Sequence, residues 1–343
     1  GYEPDLEIPG GKIFSDEMRS TLPAEHQQAP FLANNAERFI RDNAENPFVM
    51  YVSMLEPHPP FNGPYNHLYD PDKLPVDPSF LKPPEGGPLV NRLRSEYYMQ
   101  GEFDGHDLTS EVGWRQLRAN YMGHITLVDD AVGKIVKALE DSGVADNTIL
   151  VFTSEHGDLV GSHAMLELRS FYEPVSKVPM MVRVPWLPRK QRIIEGNFSQ
   201  IDLLPTLLEL MGQSAPQFLQ GTSRSDVIKG NATLDGNDVF MQHNGYGDRD
   251  LTSEESRPTL SREKAAEMNY MNTLPWRSVV TADRWKLNLC IGDQCELYDL
   301  NTDPYEMDNL FNEPSHRDRI RQMAARIRVW QDKTKDSIPL PTL

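Results

Sequence analysis

The chain has 343 residues, long enough for one large domain beside a smaller one, and with 34 Lys plus Arg against 51 Asp plus Glu it carries a net charge of −17. So acidic a surface repels nucleic acid and anionic membranes, and any anionic substrate has to be drawn in by a local cluster of cations. No run of 18 apolar residues offers a transmembrane helix, and no basic-then-apolar signal peptide opens the chain, which begins at Gly1 as a processed or partial chain would.

In chain order, residues 31–45 ("FLANNAERFIRDNAE") predict a helix, and "FVMYVSML" after Pro47 predicts a strand too apolar to face water on either side. From Gln116 to Gly143, Leu117, Tyr121, Ile125, Val128, Val132, Ile135 and Leu139 recur every three or four residues, an amphipathic helix stopped by Gly143. "NTILVFTS" and "VPMMVRVP" predict two more buried strands, and "DLLPTLLELMG" a short helix with Pro205 in its first turn and Gly212 at its end. Alternating strands and helices predict an α/β fold, a mostly parallel sheet sandwiched by helices, whose ligands bind at the carboxyl ends of strands. "SMLEPHPPF" and "TSEHGDLVGSH" lie at two such ends. Residues 1–245 are assigned to this domain. From residue 246 a polar insertion leads into "RSVVTADRWKLNLCIGDQCELYDLNTDP", three short strands of an antiparallel meander, and then a helix over 314–332 with Ile320, Met323, Ile327 and Trp330 on one face. Residues 246–343 thus form a smaller antiparallel α+β domain.

Glu155 and His156 are neighbours and would point to opposite faces of a regular strand, so they converge on one divalent metal only if the strand has ended, which Gly157 permits. The alternative is that Glu155 caps a helix or loop while His156 and His163 make ordinary hydrogen bonds. His58, stiffened between prolines, suits anion contact or proton transfer, or else packs in a proline-rich loop. Arg169 is a candidate anion-binding cation or a surface arginine. His124 reads as structural, and Asp129 and Asp130 as solvent-exposed or bonded to a neighbouring loop, because adjacent helix positions diverge by about 100°. Cys290 and Cys295 are either disulfide-bonded across a hairpin or two free thiols, and Asn197 and Asn231 stand in glycosylation acceptor triplets.

"YVSMLEPHPPF", "NYMGHITLVDDAVGKIVKALEDSGVADNTILVFTSEHGDLVGSH", "SFYEPVSKVPMMVRVP", "IDLLPTLLELMG" and "ELYDLNTDPYEMDNL", in this order from about residue 31, resemble the type I sulfatases of the alkaline phosphatase superfamily. The resemblance implies hydrolysis of a sulfate ester, small-molecule or carbohydrate, at a calcium-bearing site, with Glu155 and His156 at metal-ligand positions usually written Asp-His or Asp-Asn and His58 at the sulfate contact. Three departures stand out. Glu155 is longer than aspartate by about 1.5 Å, against a tolerance of about 0.5 Å in ligand geometry. Leu168 stands where the family has a sulfate-binding lysine, leaving neighbouring Arg169 as the substitute cation. The Cys-x-Pro-x-Arg motif that yields the family's formylglycine is absent: neither Cys290 nor Cys295 is followed by it, and "SRPTL" at Ser256 lacks the arginine. The chain is therefore expected to be the carboxyl-terminal portion of a sulfatase, inactive alone and with apolar surface exposed. The competing expectations are a phosphonate or phosphate monoester hydrolase of the same superfamily and a catalytically silent sulfatase-like protein. Export is favoured over a cytoplasmic location.

Overall fold

The computed structural model of the chain describes residues 23–103, 105–188, 190–245 and 260–343. Its elements are α1 (Gln28–Asp42), α2 (Leu89–Met99), β1 (Glu102–Phe103), β2 (His106–Asp107), α3 (Glu111–Asp141), β3 (Leu150–Thr153), α4 (Glu173–Ser176) and β4 (Met180–Arg183). Then follow α5 (Leu203–Leu210), α6 (Ser225–Lys229), β5 (Val239–His243), α7 (Arg262–Asn272), β6 (Trp276–Val280), β7 (Trp285–Cys290), β8 (Glu296–Asp299) and α8 (Arg317–Thr334). Among the described residues, 23–81, 97–168 and 178–188 make one compact unit, and 82–96, 169–177, 190–245 and 260–343 make the other.

The first unit is built on α1 and α3. Small residues on α1 (Ala29, Ala33, Ala36) let it lie close against Ala131, Ile135 and Ala138 of α3, and Phe48, Met50, Val52, Met54 and Leu150 pack onto this helix pair. The expected helix is longer than its periodicity indicated. Ser110 caps it by accepting the Gly113 N–H at 3.3 Å, and Gly113 itself is obligatory, since a Cβ there would lie 1.8 Å from the Asp107 carbonyl oxygen. The buried stripe runs through Leu117, Asn120, His124, Leu127, Ala131 and Ile135, which leaves Ile125 exposed.

Residues 48–54 are extended, with alternate side chains turned inward, but no ladder pairs them with a described strand. Their outward residues are apolar: Val49 is 87% and Tyr51 89% exposed. The expectation of a segment buried on both sides is thus not met here. β3 and β4 do pair, and they are antiparallel, with Val151 opposite Val182. All described strand pairs are antiparallel, so the expected mostly parallel sheet is not met among them. The connection between β3 and β4 holds only the four-residue α4 in place of the long crossover helix usual in a parallel unit, and the two strands pair antiparallel.

The second unit centres on a sheet of order β5-β6-β7-β8. β5 lies before residue 245 and is an edge strand of this sheet, Met241 opposite Ser278. Val279, Leu287, Leu289 and Leu297 face Ile320, Met323, Ala324 and Ile327 of α8, the alternation expected of a pleated surface. Trp330 stacks on Phe240 with ring centroids 5.5 Å apart. Of the expected polar insertion, residues 246–259, including Ser256, lie outside the described residues, whereas 262–272 form α7, capped by Ser261. Cys290 and Cys295 are free thiols, and burial pushes them up to about 12 and about 11. Asn197 donates to the carbonyls of Asn237, Val280 and Thr281, which makes its amide a structural tie, while Asn231 is exposed.

Candidate active site

The loop bearing His58 leaves the extended segment where that segment is stitched to the start of α1. Leu55 N donates to Gln28 Oε1 and Ala29 N to Glu56 Oε1, both at 3.0 Å, so a distant carboxylate supplies the cap that Gln27 does not. His58 N then donates to the Leu55 carbonyl at 2.9 Å, which closes a tight turn. The His58 ring is exposed, and its Nδ1 lies 2.7 Å from the Pro59 carbonyl oxygen. A carbonyl only accepts, so Nδ1 carries the proton and the lone pair of the neutral ring is at Nε2.

The second loop follows β3, which ends at Thr153. With the ladder finished, Glu155 and His156 come to the same side: Glu155 Oε1 and His156 Nε2 are 3.7 Å apart. His156 repeats the arrangement of His58, its Nδ1 lying 2.8 Å from the Gly157 carbonyl oxygen, so its Nε2 is likewise the acceptor position. Ser154 Oγ donates to the His156 carbonyl at 2.8 Å and holds the turn. Glu155 reaches well out, its side chain 80% exposed.

Sequence reasoning did not pick out Asp158. Its Oδ1 accepts from Val160 N at 3.0 Å and Glu167 N at 3.1 Å, closing the loop on itself. Burial of the carboxylate pushes its pKa up to about 6. The signal was present as an aspartate two residues before an amide it caps. Gly161 is the glycine this loop requires: its φ is 97°, and a Cβ would lie 2.4 Å from the Phe80 ring. Arg118 of α3 donates to the Val160 carbonyl, and His163, a candidate for ordinary hydrogen bonding, is buried with its N–H on the Ser79 carbonyl. His124 is buried, and desolvation lowers its pKa to about 4. Asp129 and Asp130 are exposed, and Asp130 accepts the Tyr65 hydroxyl at 2.8 Å.

Arg169 belongs to the second unit, at the head of the segment leading into α4. It is partly exposed, and its carbonyl accepts from Arg94 Nη1. Preceding Leu168 belongs to the first unit and is exposed. The 440 Å³ groove between α1 and residues 50–53 is lined by none of His58, Glu155, His156 or Arg169.

Glu155 and His156 together offer one carboxylate and one imidazole nitrogen. Calcium takes about six to eight oxygen ligands, and among the described residues no group of three or more His, Cys, Asp and Glu side chains could hold a metal. The pair by itself therefore does not fit a calcium shell. Among the described residues no helix is long and apolar enough to cross a membrane.

Three comparisons bear on this arrangement. The chain is 25% identical over 340 residues to the multifunctional alkaline phosphatase superfamily protein PehA of Trinickia caryophylli, covering 96% of this chain and 63% of that protein. It is 25% identical over 251 residues to the N-acetylglucosamine-6-O-sulfatase of Bacteroides thetaiotaomicron, covering 71% of this chain and 40% of the relative. Among solved structures, the phosphonate monoester hydrolase SpPMH of Silicibacter pomeroyi superposes with a TM-score of 0.76 at 22% identity, over 92% of this chain and 62% of that one, a likeness of fold. The chain thus spans less than two thirds of the length of these proteins. The family profile described as Sulfatase matches residues 15–213, more than half of the chain, and this chain belongs to the sulfatase family of the alkaline phosphatase superfamily.

Proposed function

We propose that this chain carries part of the active site of a sulfuric ester hydrolase. The observation that supports this reading most directly is the Glu155–His156 pair, brought to 3.7 Å just past the end of β3 in a chain of the sulfatase family. Glu155 and His156 are proposed as two of the ligands of a divalent cation, calcium by family resemblance, whose remaining ligands these two side chains do not supply. Such a cation, when bound, neutralises charge on the ester oxygens.

The roles of the chain's own groups follow from their chemistry. His156 presents Nε2 because the Gly157 carbonyl holds the proton at Nδ1. His58, held by the same device, is proposed to meet the sulfate through Nε2, donating a hydrogen bond when the ring is protonated. Arg169 is proposed as the cation that contacts the sulfate in place of the lysine that Leu168 replaces; its planar guanidinium presents paired donors to an oxyanion. The family's formylglycine motif is not found in this sequence, and no nucleophilic step is assigned to these residues.

A carbohydrate sulfate is the proposed substrate class, since one relative is named for a sulfated sugar. Export is proposed as well; the exposed acceptor Asn231 in Asn231-Ala232-Thr233 is compatible with it. A second reading, hydrolysis of a phosphonate or phosphate monoester, is favoured by the likeness to SpPMH.

Turnover of matched aryl sulfate, aryl phosphate and phosphonate monoesters by the complete gene product separates the two. The expected result is a preference for the sulfate ester, lowered by about 100-fold in kcat/KM in His58→Ala. A preference for either phosphorus ester would instead support the second reading.

A further inference from the structure

The short segment that begins at Arg169 is tied into the second unit by the buried charged residues Arg94, Lys286, Glu296 and Glu306. At its head the Arg169 carbonyl is held by Arg94, itself buried and bonded to the side chains of Asn91 and Asn272. Two residues on, the Phe171 carbonyl accepts from Lys286 Nζ at 2.8 Å. Tyr172, fully buried, donates its hydroxyl to Glu296 Oε1 at 2.9 Å, and that carboxylate also accepts from Tyr298 and Asn288. Glu173 N donates to Glu306 Oε2 at 2.6 Å, while the Glu173 carboxylate lies 2.7 Å from Lys286 Nζ. Lys286 Nζ also donates to Glu306 Oε1 at 2.8 Å and reaches Ser176 Oγ at 3.4 Å.

Lys286 and Glu306 are both completely buried, on the face of the sheet opposite α8. Burial works against the charge on Lys286, but Glu306 and Glu173 more than offset it and hold the ammonium protonated. Desolvating such a pair costs several kcal/mol, and a hydrophobic pair of similar volume would hold a core together as well or better. Stability alone does not account for it. What the network does is fix the backbone of the segment at Phe171 and Glu173 and hold the Ser176 hydroxyl, where an apolar pair has no directional bond to offer.

We propose that Lys286 and Glu306 are positioning residues, which aim Arg169 by fastening the segment that follows it. This inference rests on the reading of Arg169 as the sulfate contact. Neither residue touches substrate. They act through the backbone they hold, so the guanidinium starts from a rigid base and loses less freedom on meeting the oxyanion.

The test uses the full chain, with inorganic sulfate as the probe, and compares three proteins with the parent: Arg169→Ala, Glu306→Gln, and the double variant Lys286→Met with Glu306→Met, which removes both fully buried charges together and whose fold is checked by circular dichroism. Calorimetry reads sulfate affinity, and amide hydrogen exchange reads residues 170–177 against α8 as an internal control. Arg169→Ala is expected to weaken sulfate binding about tenfold, the loss of one charge-assisted contact. The double variant is expected to weaken it severalfold, with faster exchange over 170–177 and unchanged exchange in α8; Glu306→Gln should do the same to a smaller degree. A double variant that keeps parental sulfate affinity or parental exchange at 170–177, while Arg169→Ala loses affinity, overturns the positioning role alone. Unchanged affinity in Arg169→Ala overturns the assignment of Arg169 and this inference with it.

Discussion

The extended segment at residues 48–54 and the strand β7 are both apolar-rich, yet they meet their surroundings differently. The first covers the α1–α3 pair with Phe48, Met50, Val52 and Met54 and turns Val49 and Tyr51 outward, nearly fully exposed. β7 is buried on both sides: Leu287 and Leu289 pack toward α8, and Lys286 and Asn288 lie beneath the opposite face with every polar group engaged. One surface is held by apolar contact on a single side, the other by apolar contact on one side and directional polar bonds on the other. Disturbing the two should therefore fail in different ways.

The largest expected effect is in β7. Lys286→Ala strands Glu306 and Glu173 without their cation, and a loss of about 3–5 kcal/mol is expected in denaturant unfolding. A loss below about 1 kcal/mol would show that the network is solvated and erase the contrast. Next comes His124 in the first unit, whose ring is buried neutral and titrates at about 4. Protonation is easier in the unfolded chain, so the stability that neutral His124 contributes is complete above about 6.5 and is lost as pH falls toward about 4. The loss amounts to about 3 kcal/mol at its limit, and the stability difference between His124→Leu and the parent should shift by that much across the window. A pH-independent difference would sink the assignment. The smallest effect is expected at Val49 and Tyr51. Changing both to lysine should alter stability by no more than about 0.5 kcal/mol while lowering self-association, as read by light scattering. A large destabilisation there would mean that these side chains are not outward.

Much of the candidate site was legible before any coordinates. His58, Glu155 and His156 stand out because apolar runs end in residues that carry chemistry, and strand ends are where such folds are expected to bind ligands. The opposed directions of neighbouring side chains in a strand also required that β3 end before Glu155, as it does at Thr153. Asp158 was not picked out, because an aspartate that closes a loop on its own amides has no periodicity to reveal it. Nor was the Lys286–Glu306–Glu173 network, whose members lie 20 residues apart in one pair and 133 in another. The exposure of Ile125 escaped for a related reason: a three-or-four spacing defines a stripe to within a residue, and the partner helix chooses the edge.

Helices α1, α3, α5 and α8, the antiparallel strands β6, β7 and β8, the family and the residues worth testing were written in local sequence, because helix periodicity, strand alternation and turn residues act over a few positions. Strand direction in the first unit, the outward apolar residues at 49 and 51, and the fastening of the Arg169 segment were decided only by tertiary structure. Hydrogen-bond ladders and buried ion pairs join positions far apart in the chain, and no local pattern encodes which distant group will be the partner.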